Sequence, residues 1–364
     1  MTDLKRAMKT YRVVVVGMGK RGMHHAEAFN ANPRFQVVGI CDLDAARLEA
    51  AAAKLGQPER GSDAGALARV LQPDVFCFCT LPHLRLPMVR AGVEAGARLL
   101  AFEKPVALTS SELFAVRDLI RQREVLAVVS HQHRYGEHYR KVREIVASGA
   151  LGRVHTVYGT ATGWMTHMLS HLIDYTRWFN DNAPAQWAMA QAAGRHKLQD
   201  NHPSPDYLAG VVQYANGVRG LYECGAGAPD QPEVGKWWGK NRLGAQGTEG
   251  FAEVLTNGGW RAVTRGGGFE SGEGAMNYAL DMPPYIQEMA DWLDDAARVH
   301  SCNFDSALAG AEIMLAMQAS AALGGQVALP LACGRNEQDL LNARMPDAAV
   351  LGSCEQNLRE FGLL

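Results

Sequence analysis

Short, nearly continuous apolar runs at 12–17, 35–41, 74–81, 98–102 and 125–130 recur through the first 130 residues. Between them, segments at 45–55, 86–95 and 110–123 repeat apolar residues every three to four positions. Runs that are apolar on both faces suit parallel strands covered on both sides, and the 3.6-residue period suits the crossover helices. The pattern predicts a doubly wound α/β domain with a parallel sheet. After His131 it changes. A helix is expected over 137–148, stopped at Gly149. Strand patterns at 207–214 and 218–224 flank Ala215-Asn216-Gly217, where Asn-Gly suits the positive φ values of a tight hairpin. A second pair, 243–246 and 251–255, flanks Gly247-Thr248-Glu249-Gly250. This half reads as a second α/β domain with a large, mostly antiparallel open sheet, closed by helices at 284–298 and 306–323. The expected domains are 1–130, 131–330 and a tail at 331–364.

Composition narrows the function. A chain of 364 residues suits two domains, and 47% apolar with 20% charged residues argues against disorder. Lys plus Arg is 36 against 38 Asp plus Glu, a net charge of −2, so no basic face is expected for nucleic acid. No apolar run approaches the roughly 20 residues that span a bilayer, and no membrane partner is expected. The run at 13–16 is too short for a secretory signal. Seven cysteines are scattered at 41, 77, 79, 224, 302, 333 and 354. Cys77 and Cys79 alternate within a strand and read as buried thiols rather than a metal knuckle. A reduced, cytoplasmic protein is expected.

Gly17-Met18-Gly19-Lys20-Arg21-Gly22 follows the first strand and opens a helix. Gly17 permits the tight turn, Gly19 lets backbone approach a pyrophosphate, and Gly22 allows close helix–strand packing. The helix N-terminus offers amide groups to the phosphates. Asp42 lies twenty residues past Gly22 and ends the second strand. There it can accept the adenosine ribose hydroxyls and repel a 2′-phosphate, so NAD is expected over NADP. Its other reading is a cap for the helix at 45–55, which Asp44 could also supply.

Phe102-Glu103-Lys104-Pro105 follows the fourth strand, and here the chain resembles the Gfo/Idh/MocA oxidoreductases. The resemblance includes Ala95-Gly96, His133-Arg134-Tyr135, 148–154, Ser170-His171-Leu172-Ile173-Asp174, and 325–330 at the end of the closing helix. It implies a Rossmann domain followed by an open-sheet domain, with the active site between them. It also implies NAD, a carbohydrate or polyol substrate, and homodimers or homotetramers formed through the C-terminal sheet. The implied reaction is reversible hydride transfer between nicotinamide C4 and a carbinol carbon.

By the resemblance, Lys104 orients the reacting hydroxyl and His171 is the general base; an imidazole is well suited to take an alcohol proton near neutral pH. His167, His171 and Asp174 fall on one helical face. The family most often has an aspartate where this chain has His167, so either Asp174 partners the base or His167 itself contacts substrate. A pair of histidines four apart also resembles half a metal site, but no third ligand is evident and no metal is expected. Thr80-Leu81-Pro82-His83 departs from the usual Thr-Pro; Thr80 still suits the nicotinamide ribose, and Leu81 and His83 are cofactor-loop candidates with Glu103 and Pro105. Arg134, Tyr135, Trp164, Trp237 and Trp238 are candidate sugar contacts, Trp164 foremost. Two further readings stand beside a dehydrogenase. One is a glycosidase or lyase working by transient oxidation; the other is a non-catalytic NAD-binding regulator, against which Lys104 and His171 speak.

Overall fold

The computed structural model describes residues 9–195, 203–235, 239–350 and 359. Trp237, Trp238, Cys354 and most of the end of the tail lie outside the described residues. The first half alternates strand and helix: β1 (Tyr11–Val16), α1 (Lys20–Ala31), β2 (Phe35–Cys41), α2 (Ala45–Leu55), β3 (Glu59–Gly61), α3 (Ala64–Leu71), β4 (Val75–Phe78), α4 (Arg85–Glu94), β5 (Leu99–Phe102), α5 (Ser110–Gln122) and β6 (Leu126–Val129). Then come α6 (Glu137–Ala147), β7 (Val154–Ala161), α7 (Met165–Phe179), β8 (Ala185–Ala193), β9 (Tyr207–Tyr214), β10 (Arg219–Gly225), β11 (Asn241–Gly247), β12 (Gly250–Leu255), β13 (Gly259–Thr264) and β14 (Gly268–Gly272). The chain closes with α8 (Tyr278–Asp294), α9 (Phe304–Leu323), β15 (Val327–Ala328) and α10 (Glu337–Arg344).

Two compact units result: Met1–Glu103 with Val116–Gln132 and Tyr278–Phe304, and Lys104–Ala115 with His133–Asn277 and Asp305–Leu364. In the first, six parallel strands run in the order β3-β2-β1-β4-β5-β6. That is the dinucleotide-binding order, with its crevice where the order reverses between β1 and β4. The four valines of β1 are buried, as a central parallel strand requires. The expected closing helix starts at Tyr278, six residues before Pro284, with Pro283 and Pro284 inside it, and it returns to the first unit rather than closing the second sheet. There Asn32 donates to Gln287 at 3.0 Å and Arg34 grips Asp294 through two bonds of 2.7 and 2.9 Å.

The second unit carries a nine-stranded sheet, β14-β13-β12-β11-β7-β10-β9-β8-β15. Only β7 and β10 pair in parallel; the other neighbours are antiparallel. In the β9–β10 hairpin Gly217 alone takes a positive φ, of 83°, so the turn needs less of Asn216 than expected. Helix α7 packs on β7, and Gly159 lets it close: a Cβ there would lie 2.9 Å from Cβ of Leu172. α10 is held through Glu337, which accepts from the Ser110 amide at 2.8 Å. One described helix, α9, is long and apolar enough to cross a membrane by length and composition; 72% of its apolar window is buried.

Candidate active site

In the first unit, Gly17 sits at φ 87°, and a Cβ there would come 2.7 Å from the carbonyl oxygen of Cys79. A Cβ at Gly22 would collide with the carbonyl of Gly17, whereas at Gly19 nothing lies within 4 Å. The turn is therefore closed behind and open at Gly19, where α1 begins without a side-chain cap. Such a bare, uncapped N-terminus fits a pyrophosphate. Asp42 braces this turn: Oδ2 accepts from the Met18 amide at 2.6 Å and Oδ1 from the Asp44 amide at 2.9 Å. Asp44 caps α2, accepting from the amides of Ala46 and Arg47, so the capping role is already filled and Asp42 is left beside the turn. Lys20 and His83 are exposed, Leu81 is 42% exposed, and Thr80 accepts from buried Arg85 through its carbonyl at 2.8 Å.

Glu103 and Arg21 were expected at the cofactor, and the structure turns them toward each other. Buried Glu103 accepts from Arg21 Nε at 2.9 Å and from His25 Nε2 at 3.1 Å. Burial opposes the Arg21 charge, but the Glu103 carboxylate more than offsets it, so the guanidinium pKa is raised above its ordinary value. Arg21 also covers the ring of Tyr278 at 4.4 Å.

In the second unit, Lys104 and His167 come together, with Lys104 Nζ 3.2 Å from His167 Nδ1. The bond from Lys104 to buried Pro105 is cis. His171, one turn further along α7, places Nδ1 3.2 Å from the hydroxyl of Tyr175 and stacks on that ring at 5.6 Å and 17°. The His133 ring lies 5.8 Å from that of His171. Trp164 lies 5.9 Å from the His167 ring. Lys104, Tyr135, Trp164, His167 and His171 are all half-buried.

Arg134 and Asp174 go elsewhere. Both are buried, and they pair through two bonds, Nε to Oδ2 at 2.9 Å and Nη2 to Oδ1 at 2.7 Å. Arg134 Nη2 also donates to Ser306 at 3.3 Å. Asp174 is thus paired with Arg134, and the side chain shown beside His171 is a tyrosine. Sequence reading missed Tyr175 and His133. Tyr175 is the i+4 neighbour of His171, a spacing that could have pointed to it.

Residues 11–131 match Gfo/Idh/MocA, described as an oxidoreductase family with an NAD-binding Rossmann fold. The chain is 26% identical over 161 residues to D-glucoside 3-dehydrogenase of Escherichia coli K12, covering 43% of this chain and 46% of that one. It is 24% identical over 226 residues to inositol 2-dehydrogenase of Rhizobium meliloti, covering 58% and 68%. In the first two curated relatives matched, the chain spans less than half of their length, 46% and 42%. In fold it is similar to levoglucosan dehydrogenase solved with NADH and levoglucosan, with a TM-score of 0.74, 18% identity, and 88% of this chain and 100% of that one covered. The match to the Gfo/Idh/MocA oxidoreductase family is confined to residues 11–131, the nucleotide-binding half of the resemblance.

Proposed function

We propose that the chain is an NAD-dependent dehydrogenase acting on a secondary alcohol of a sugar, glycoside or cyclitol. The observation that carries the reading is the Lys104–His167 contact, with His171 one turn away on the same helix. The turn at Gly17–Gly22 and Asp42 would hold NAD, whose chemistry when bound is to accept a hydride at the nicotinamide ring. The side chains of the second unit manage the proton. An ammonium only donates, so Lys104 leaves His167 neutral with its proton on Nε2. Lys104 would also donate to the substrate oxygen. If Nδ1 of His171 donates to Tyr175, Nε2 keeps a lone pair and can take the alcohol proton. Half-buried Trp164 and Tyr135 offer apolar faces of the kind that cover sugar C–H surfaces. Incubation with NAD and a panel of sugars, glycosides and cyclitols tests the reading. Net NADH with a ketone product supports it. Glycoside cleavage without net NADH favours oxidation-assisted elimination, and no turnover of any substrate overturns it.

A second copy of the chain is the partner we propose for the open face of the nine-stranded sheet. Leu221 (41% exposed) and Met189 (47%) stand on it beside a groove of about 1080 Å³. Its charges are matched in place: Glu253 accepts from Arg261 at 2.5 Å and from the Tyr158 hydroxyl at 2.6 Å. An apolar, internally neutralised face suits burial against its own copy. Sedimentation of the purified chain tests this, and a monomer at micromolar concentration overturns it. The compartment we propose is the cytoplasm, because all six described cysteines are free thiols.

A further inference from the structure

Beneath the dinucleotide turn, three donor side chains meet that have no part in the chemistry above. His25 of α1, Cys77 of β4 and Cys79 just past the end of β4 bring one ring nitrogen and two sulfurs within 4.8 Å of one another. Two residues apart on a strand, the thiols share one face of the sheet. The His25 imidazole is fully buried. Its Nε2 lies 3.1 Å from Glu103, while its Nδ1 has no hydrogen-bond partner. A carboxylate only accepts, so Nε2 carries the proton and Nδ1 is left with a buried, unused lone pair. Such orphans are rare and costly. Carboxylate to imidazole N–H, with the opposite nitrogen bare, is the arrangement that orients a metal-binding histidine.

We propose that His25, Cys77 and Cys79 bind a thiophilic d10 cation of the Zn²⁺ class, with Glu103 fixing the tautomer of His25. Two thiolates and one neutral imidazole match such an ion in softness. Binding one divalent cation releases two protons, one from each thiol, so the ligand set becomes neutral. The remaining Glu103 charge is already matched by Arg21. Metal–sulfur and metal–nitrogen bonds of roughly 2.3 and 2.0 Å place donors about 3.5–4 Å apart, so shifts of less than about 1 Å close the site. Cys79 is the one ligand that is not fully buried, and it supplies the way in. Three ligands leave the fourth position for water.

The test uses the full chain, kept reduced, stripped with a chelator and titrated with Zn²⁺ against a chromogenic zinc indicator. One equivalent per chain is expected. Co²⁺ should give a thiolate-to-cobalt charge-transfer band, and the Cys79 thiol should become protected from an aromatic disulfide reagent. The Cys77→Ala/Cys79→Ala variant should lose at least ten-fold in affinity and the band altogether, and Glu103→Gln should lose about 10–100-fold. No stoichiometric uptake, or uptake undiminished in the double variant, overturns the site. Should the double variant fail to fold, Cys79→Ala alone, past the strand end, must show the same loss.

Discussion

The ammonium of Lys104 and Nδ1 of His167 stand 3.2 Å apart, which fixes the direction of the bond between them. Lys104 has only protons to give, so His167 accepts at Nδ1 and carries its proton on Nε2. Where most relatives are expected to place a carboxylate, this chain has a neutral acceptor.

Lys104→Ala removes both the donor to His167 and the group proposed to hold the substrate oxygen. Turnover should fall by about 10²–10⁴, the range of a positioned acid–base group. NAD binding should stay within a few-fold, because Gly19 and Asp42 are untouched. Steady-state kinetics and nucleotide titration check both halves; near wild-type turnover removes Lys104 from the chemistry.

Tyr175 and His171 form the second working pair, joined at 3.2 Å. Tyr175→Phe keeps the stacked ring and deletes only the hydroxyl beside Nδ1 of His171. We expect kcat to fall roughly ten-fold with little change in KM, a loss smaller than that of a catalytic group because the base itself remains. His171→Ala should lose most activity. A Tyr175→Phe enzyme with unchanged kcat would mean that the hydroxyl does not direct the ring.

The Arg134–Asp174 pair predicts a stability defect instead. With side chains only 4% and 3% exposed, removing Asp174 takes the carboxylate away from a buried guanidinium. Asp174→Ala should cost about 3–5 kcal/mol, read by denaturant unfolding. If stability holds and only KM rises, Asp174 touches substrate after all.

What could be read from the sequence follows from the range over which each signal acts. The valine run of β1 and the three glycines after it answer to local demands: burial on both faces, a positive φ, and backbone packed on backbone. Those were legible. β3 was not, because Glu59–Gly61 is three residues long with no apolar run. The start of α8 was misread because Pro284 resembles a first-turn proline, yet its helix begins six residues earlier. Side-chain partners were hardest. Glu103 meets His25 across 78 residues and Asp174 meets Arg134 across 40, and no periodicity reports such pairs. His167 was visible as a departure, but its contact with Lys104 was not.

Asp42 is already bonded to the Met18 amide at 2.6 Å, so it shapes the turn besides the ribose contact proposed for it. Asp42→Ala should therefore weaken NAD and narrow the preference over NADP, mainly through KM. Wild-type preference for NADP would overturn the assignment. Loss of affinity for both nucleotides alike would assign Asp42 to the turn alone.

The last prediction concerns the pH profile. His171 must be neutral to accept the alcohol proton, so kcat/KM should fall on the acid side as the ring becomes protonated. In wild type the Tyr175 hydroxyl and the His133 ring lie beside it, and His167 stands one helical turn away. His167→Asp places a carboxylate one helical turn from the base. A nearby negative charge stabilises the protonated ring, so the pKa of His171 rises and the acid limb moves to higher pH. The same carboxylate would pair with Lys104, which reduces the shift, so about half to one pH unit is expected, corresponding to roughly 0.7–1.4 kcal/mol. At high pH, where His171 is neutral in both, the variant should approach wild-type kcat/KM. The pH dependence of kcat/KM for the two proteins is the measurement. An acid limb that stays in place would mean that position 167 exerts no field on the base, and one that moves downward would make another group the proton acceptor.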